Sequence, residues 1–117
     1  MDKYMLLFRN QSNVEELYAN ISPEEMEAEL GKWNTWIGGI AAQGKFEGSE
    51  ALQPTGKIVT GSKRVVSDGP YVESKELVSG YLVLKADSIE EAIELSQGCP
   101  IYDLEGIVEV RQIQVFG

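Results

Sequence analysis

Within nine residues, 68–76, the chain gathers Asp68, Glu73, Lys75 and Glu76 around Gly69, Pro70 and Tyr71. Carboxylates and an amine at that density suit acid–base chemistry, because a carboxylate partly removed from water has its pKa raised towards a useful range. Asp68 is the leading candidate for the acid or base, since it ends a strand-like segment on a loop that Pro70 stiffens. Tyr71 and Tyr81 flank the charged run and, with Trp33, could wall an apolar cleft, while Glu73 and Lys75 could hold a polar substrate. Each residue also has a plainer use. Asp68-Gly69 is good turn chemistry, with Gly69 free to take φ > 0, and Glu73, Lys75 and Glu76 suit surface ion pairs. Trp33 and both tyrosines suit ordinary packing.

The chain has no histidine, which removes the commonest general base near neutral pH, the commonest metal ligand and every Ser-His or Cys-His nucleophile pair. Its one cysteine, Cys99, excludes an internal disulfide and leaves nothing for a thiolate zinc site. Set between Gly98 and Pro100 at a helix end, Cys99 reads as a buried small residue rather than a nucleophile. Gly38-Gly39 falls inside a helical pattern, where close packing explains it better than phosphate binding. No cofactor and no metal are expected.

Residues 3–9, Lys3 to Arg9, form an apolar run of the kind found in a central strand. Ser22-Pro23-Glu24-Glu25 then opens a helix: a capping serine, a proline at the first position and a glutamate placed to complete a capping box. Met26, Leu30, Trp33, Ile37 and Ile40 draw one apolar stripe along it to about Gln43, where Gly44 ends it. Trp33 and Trp36 lie about 60° apart on the wheel, so one can be core while the other borders a pocket.

Residues 45–52 read as a weaker strand. Lys57 to Thr60 and Lys63 to Val66 flank Gly61-Ser62 as a hairpin with a two-residue turn. Residues 80–86 repeat the fully apolar pattern, Ser88 caps a second helix with Ile89, Ala92, Ile93 and Ser96 facing inward, and residues 107–116 form the last strand. The two helix openings look alike, a likeness that shared capping chemistry accounts for as well as duplication does.

This order predicts one domain over residues 1–117: a ferredoxin-like α+β fold with two helices on one face of an antiparallel sheet. The apolar runs are greasy at both parities, so the second face must also be dry, and a homodimer packed sheet to sheet is expected. A phase change between Glu109 and Ile113 suggests that part of the last strand reaches past its own subunit, or a bulge.

A net charge of −9 argues against a nucleic-acid or anionic-membrane partner, because such affinity rests on Lys and Arg displacing counterions. The apolar run at residues 4–8 is too short for a membrane span or a signal peptide's core. Together with the lone cysteine, this predicts a cytoplasmic protein.

Asp68-Gly69-Pro70-Tyr71, the following Glu73-Ser74-Lys75-Glu76, Gly80-Tyr81 and the helix opening at Asp87 resemble the DGPF family of YCII-related proteins. Lys3 to Leu7, Ser22 to Glu25, Cys99-Pro100 and Val108 to Arg111 extend the resemblance over nearly the whole chain. It implies a dimeric α/β barrel with a cleft between sheet and helices. The wider group is thought to include small-molecule enzymes that use a His-Asp pair, some of which eliminate halide from small cyclic acids. Only Asp68 carries over; the histidine half is missing, and Tyr71 replaces the phenylalanine of the family name. Two functions follow. One is a binder of a small organic acid, with or without cofactor-free lyase or isomerase activity at Asp68. The other, implied by the family's association with extracytoplasmic-function sigma factors, is a non-catalytic sensor or regulatory partner.

Overall fold

The computed structural model describes residues 1–11, 19–69 and 76–116. Its strands are β1 (Asp2–Gln11), β2 (Phe46–Ala51), β3 (Gly56–Thr60), β4 (Val65–Gly69), β5 (Glu76–Ala86) and β6 (Ile107–Gln112). Its helices are α1 (Pro23–Ala42) and α2 (Ile89–Ser96), followed by a 3-10 turn at Pro100–Leu104. The chain is α+β. Four strands form an antiparallel sheet in the order β2-β5-β1-β6, while β3 and β4 make a separate two-stranded sheet.

Alternation along the two central strands sorts the core. Tyr4, Leu6 and Phe8 of β1 and Leu82, Leu84 and Ala86 of β5 are buried, and Ile40, Ala92, Cys99 and Ile101 pack with them. Met5 and Leu7 with Tyr81 and Val83 occupy the opposite face, where they are half-buried. Around them stand Arg9–Glu109 at 3.0 Å, Lys85–Glu47 at 2.8 Å and Lys3–Glu47 at 3.5 Å.

Both helix starts follow the capping chemistry. Ser22 Oγ accepts from Glu25 N and Ser88 Oγ from Glu91 N, each at 3.1 Å. Gly44, at φ +70, ends α1 as glycine should. The predicted stripe on α1 is only half used: Ile40 is buried and Trp33 and Ile37 are half-buried, but Met26 and Leu30 are exposed, with no described element packed over the first turns. On α2 the inward face is Ala92, Leu95 and Ser96, and Ile89 and Ile93 point outward. A Cβ at Gly38 or Gly39 would meet nothing, so neither glycine serves close packing within the subunit.

Three expected boundaries move. The hairpin turn spans residues 61–64, with Thr60 paired to Val65, since Arg64 adopts the left-handed conformation at φ 55 and donates its N–H to Gly61 O at 3.0 Å. Asp68-Gly69 is strand, not turn, paired to Lys57 and Gly56. Gly69 has no positive φ; its missing Cβ makes room for Ile58, whose Cγ1 would lie 2.9 Å from it. The last strand stops at Gln112, two residues short of the start of β1: Gln112 pairs with Tyr4, and Ile113 N donates to Lys3 O beyond it. Val115 and Phe116 are exposed, and the phase change falls where the ladder ends, not at a bulge in it.

Candidate functional site

Trp33 and Tyr81 lie on opposite faces of the sheet. Trp33 packs edge to face on Phe8, with centroids 5.3 Å apart, on the helix side. Tyr81 is paired with Leu7 on the other face, beside Glu50 of β2. They cannot wall one cleft within a single subunit. Asp68 stands apart from both, on the hairpin, with its side chain 90% exposed and ion-paired to Lys57. Its carboxylate is therefore open to solvent rather than enclosed in a cleft. Tyr71, Glu73 and Lys75 lie outside the described residues, as does the Pro70 that was expected to stiffen the loop.

The end of the sheet where β1 finishes and β5 begins holds a polar pair in dry surroundings. Asn10 is buried, and Ser79 Oγ donates to its Oδ1. Ser79 is brought there by a bulge: Phe8 pairs with Gly80 and Arg9 with Val78, which leaves Ser79 between them. Gly80 is required at that place, since a Cβ would sit 2.6 Å from Glu50 O on the neighbouring strand. Phe8 and Trp33 supply the apolar side of the same end. Segment 70–75 joins β5 at Glu76, directly opposite Gln11.

A second feature lies on the helix side. An open cavity of about 680 Å³ runs between α1 and the 3-10 turn, lined by Lys32, Thr35, Trp36, Gln97, Cys99 and Tyr102 among others. Trp36, not Trp33, is its aromatic wall, and its indole N–H donates to Leu95 O at 2.9 Å. Lys32 lies 3.0 Å from Glu29 and 3.7 Å from Asp103, and the hydrogen bond to Glu29 holds its pKa above the ordinary lysine value. Cys99 is buried as expected, and burial pushes its thiol up to about 11, so it is a poor nucleophile. Sequence reasoning missed Lys32, Thr35, Gln97 and Tyr102. No local signal marks them, because their only common property is proximity across about 70 residues of chain.

Among the described residues no group of three or more Cys, Asp or Glu is placed to hold a metal ion. Nor is any described helix long and apolar enough to cross a membrane. The fold and site thus define a small α+β protein with a polar pair, buried Asn10 and half-buried Ser79, at one end of its sheet and an exposed carboxylate, ion-paired to Lys57, on a hairpin. The chain belongs to the YCII-related domain family, whose model matches residues 3–117. No protein of curated function matched its sequence.

Proposed function

We propose that the protein binds a small organic molecule as a homodimer, at the sheet end marked by Asn10, Ser79, Phe8 and Trp33. The observation that carries this reading is the Asn10–Ser79 pair: a buried amide hydrogen-bonded to a half-buried hydroxyl, beside aromatic side chains, can orient a ligand's polar group while the rings cover the rest. In sequence, Asp68, Tyr71, Glu73 and Lys75 precede β5, the strand that carries Ser79. The resemblance to the DGPF proteins supports the same placement.

Dimer formation draws support from surface area. The subunit exposes 8095 Å², whereas a compact monomer of 12.9 kDa exposes about 6,300 Å². The strand order β2-β5-β1-β6 supports a ferredoxin-like subunit whose half-buried face of Met5, Leu7, Tyr81 and Val83 meets its copy in a dimeric α/β barrel. Lyase or isomerase chemistry at Asp68 requires that the exposed carboxylate be covered in the working assembly; binding does not. The lone cysteine supports a cytoplasmic setting.

A thermal-shift screen over small cyclic acids, lactones and chlorinated aromatics tests the reading. A hit should stabilise the protein, and Ser79→Ala should abolish that shift while moving the unliganded Tm by only a few degrees. A hit indifferent to Ser79→Ala, or no hit at all, overturns the site. Asp68→Asn then separates the roles, since turnover should vanish with binding retained if the carboxylate is catalytic. The regulatory alternative draws on the exposed Val59, Val65 and Val66 of the hairpin, and gains if the screen is blank while the hairpin proves essential to association with a transcription partner.

A further inference from the structure

The β3–β4 hairpin and the first turns of α1 both carry exposed apolar side chains, and their charge is opposite. Residues 56–69 carry Lys57, Lys63 and Arg64 against one acid, Asp68, a net of +2 in a chain of −9, which leaves −11 on everything else. Val59 and Val66 are cross-strand partners, 60% and 62% exposed. Strand alternation puts them on the same hairpin face as the Lys57–Asp68 pair. On α1, Met26 and Leu30 are 37% and 56% exposed. Four residues apart, they share one face, which the exposed Glu27 borders beside Leu30, while Glu24 and Glu25 make the first turn of the helix acidic. A two-stranded hairpin is marginal in water without something to pack on.

The start of α1 and the exit of the chain towards the hairpin lie at the same end of the sheet. Trp33 is level with Phe8, and the chain after α1 meets Lys85 at the far end through Lys85 N to Lys45 O at 2.7 Å, so Leu30 and Met26 lie towards and beyond the finish of β1. The hairpin departs after Ala51, which pairs with Gly80, itself the partner of Phe8.

We propose that the hairpin is an exchange arm. In the homodimer each copy lays its Val59–Val66 face on the Met26–Leu30 face of the second copy's α1, with the cations of the hairpin directed at Glu27 and the acidic first turn of that helix. Two-fold symmetry makes the contact twice and closes the assembly. The same contact covers Asp68, so the candidate acid is completed only by the second copy. This rests on the homodimer reading, and the test separates the two.

Sedimentation and light scattering on the full chain give the dimer dissociation constant, with circular dichroism as the check on folding. Lys63→Glu with Arg64→Glu should raise that constant at least tenfold, as should Val59→Asp with Val66→Asp. Combining the arm reversal with Glu24→Lys and Glu27→Lys should restore it to within a few-fold of the parent, and added salt should weaken the parent dimer. A dimer indifferent to every arm variant but broken by Leu7→Asp overturns the arm and keeps the sheet-face dimer. A parent chain that is monomeric at micromolar concentration overturns both. Charge rescue seen in Tm without association means that the arm folds on its own α1, which also overturns exchange.

Discussion

Gly80→Ala tests the geometry that sets the candidate site. A methyl at Gly80 would lie 2.6 Å from Glu50 O and 3.2 Å from Ala51 Cα. Both atoms are β2 backbone, so no rotamer change relieves the overlap; β2 must retreat from β5. Overpacking of this kind costs about 1–3 kcal/mol, and the pulled ladder bonds add about 1 kcal/mol. The stiffer unfolded chain offsets about 0.4–1 kcal/mol of that. A net loss of about 1–3 kcal/mol lowers Tm by roughly 4–15 °C in a domain of this size. Gly48→Ala is the control, since nothing lies within 4 Å of its Cβ position and its φ is not positive. It should leave Tm within a degree or two or raise it. Differential scanning calorimetry of the three proteins decides. A Gly80→Ala protein as stable as the parent would show that β2 and β5 do not approach as described, and the bulge that carries Ser79 would lose its basis.

Ser22→Ala should destabilise by about 1 kcal/mol, read from urea unfolding, because it removes the Oγ acceptor of Glu25 N. The Cys99 thiol, raised to about 11 by burial, should react with an alkylating reagent at pH 8 roughly a hundredfold more slowly than a free thiol and become fully labelled in denaturant. Because its folded pKa lies above the unfolded value, its stabilising contribution is complete below about pH 9 and declines as pH rises towards 11. Glu47 is shifted the other way: its hydrogen bond to Lys85, with Lys3 nearby, holds its carboxyl below the ordinary value despite some desolvation. Its contribution is present above the unfolded pKa and is lost as pH falls through the folded one, so Glu47→Gln should flatten the acid limb of a Tm–pH curve.

What could be read from the sequence was whatever local chemistry decides. Ser22 and Ser88 mark their helices because a hydroxyl that caps does so within three residues, and the apolar runs of β1 and β5 announce central strands at both parities. Asp68-Gly69 misleads because its glycine answers to Ile58 across the hairpin and not to a turn. Gly61-Ser62 suggests a two-residue connection, and the left-handed Arg64 that lengthens it carries no mark in its residue type. Periodicity found the stripe on α1 but cannot say what lies over Met26 and Leu30. The candidate site follows the same division. Asp68 was visible as a residue type, while its exposure, the Ser79 bulge and the Lys32–Tyr102 cavity arise from parts of the chain that meet only after folding.

The central ladder joins Asp2 to Ala86 and Gln11 to Glu76, and β1 finds its other neighbour in β6, where Tyr4 meets Gln112. Those closures span most of the chain, whereas α1, α2 and the hairpin need only near neighbours. Pairings of such long range form slowly, because loop closure must come before any contact rewards it. During synthesis β1 emerges before its partners and stays unpaired until β5, more than 60 residues later, has followed. Its apolar run is thus the segment most in need of a chaperone or of rapid collapse. A nascent or truncated chain that stops before β5 has α1 and the hairpin but no core to fasten them to.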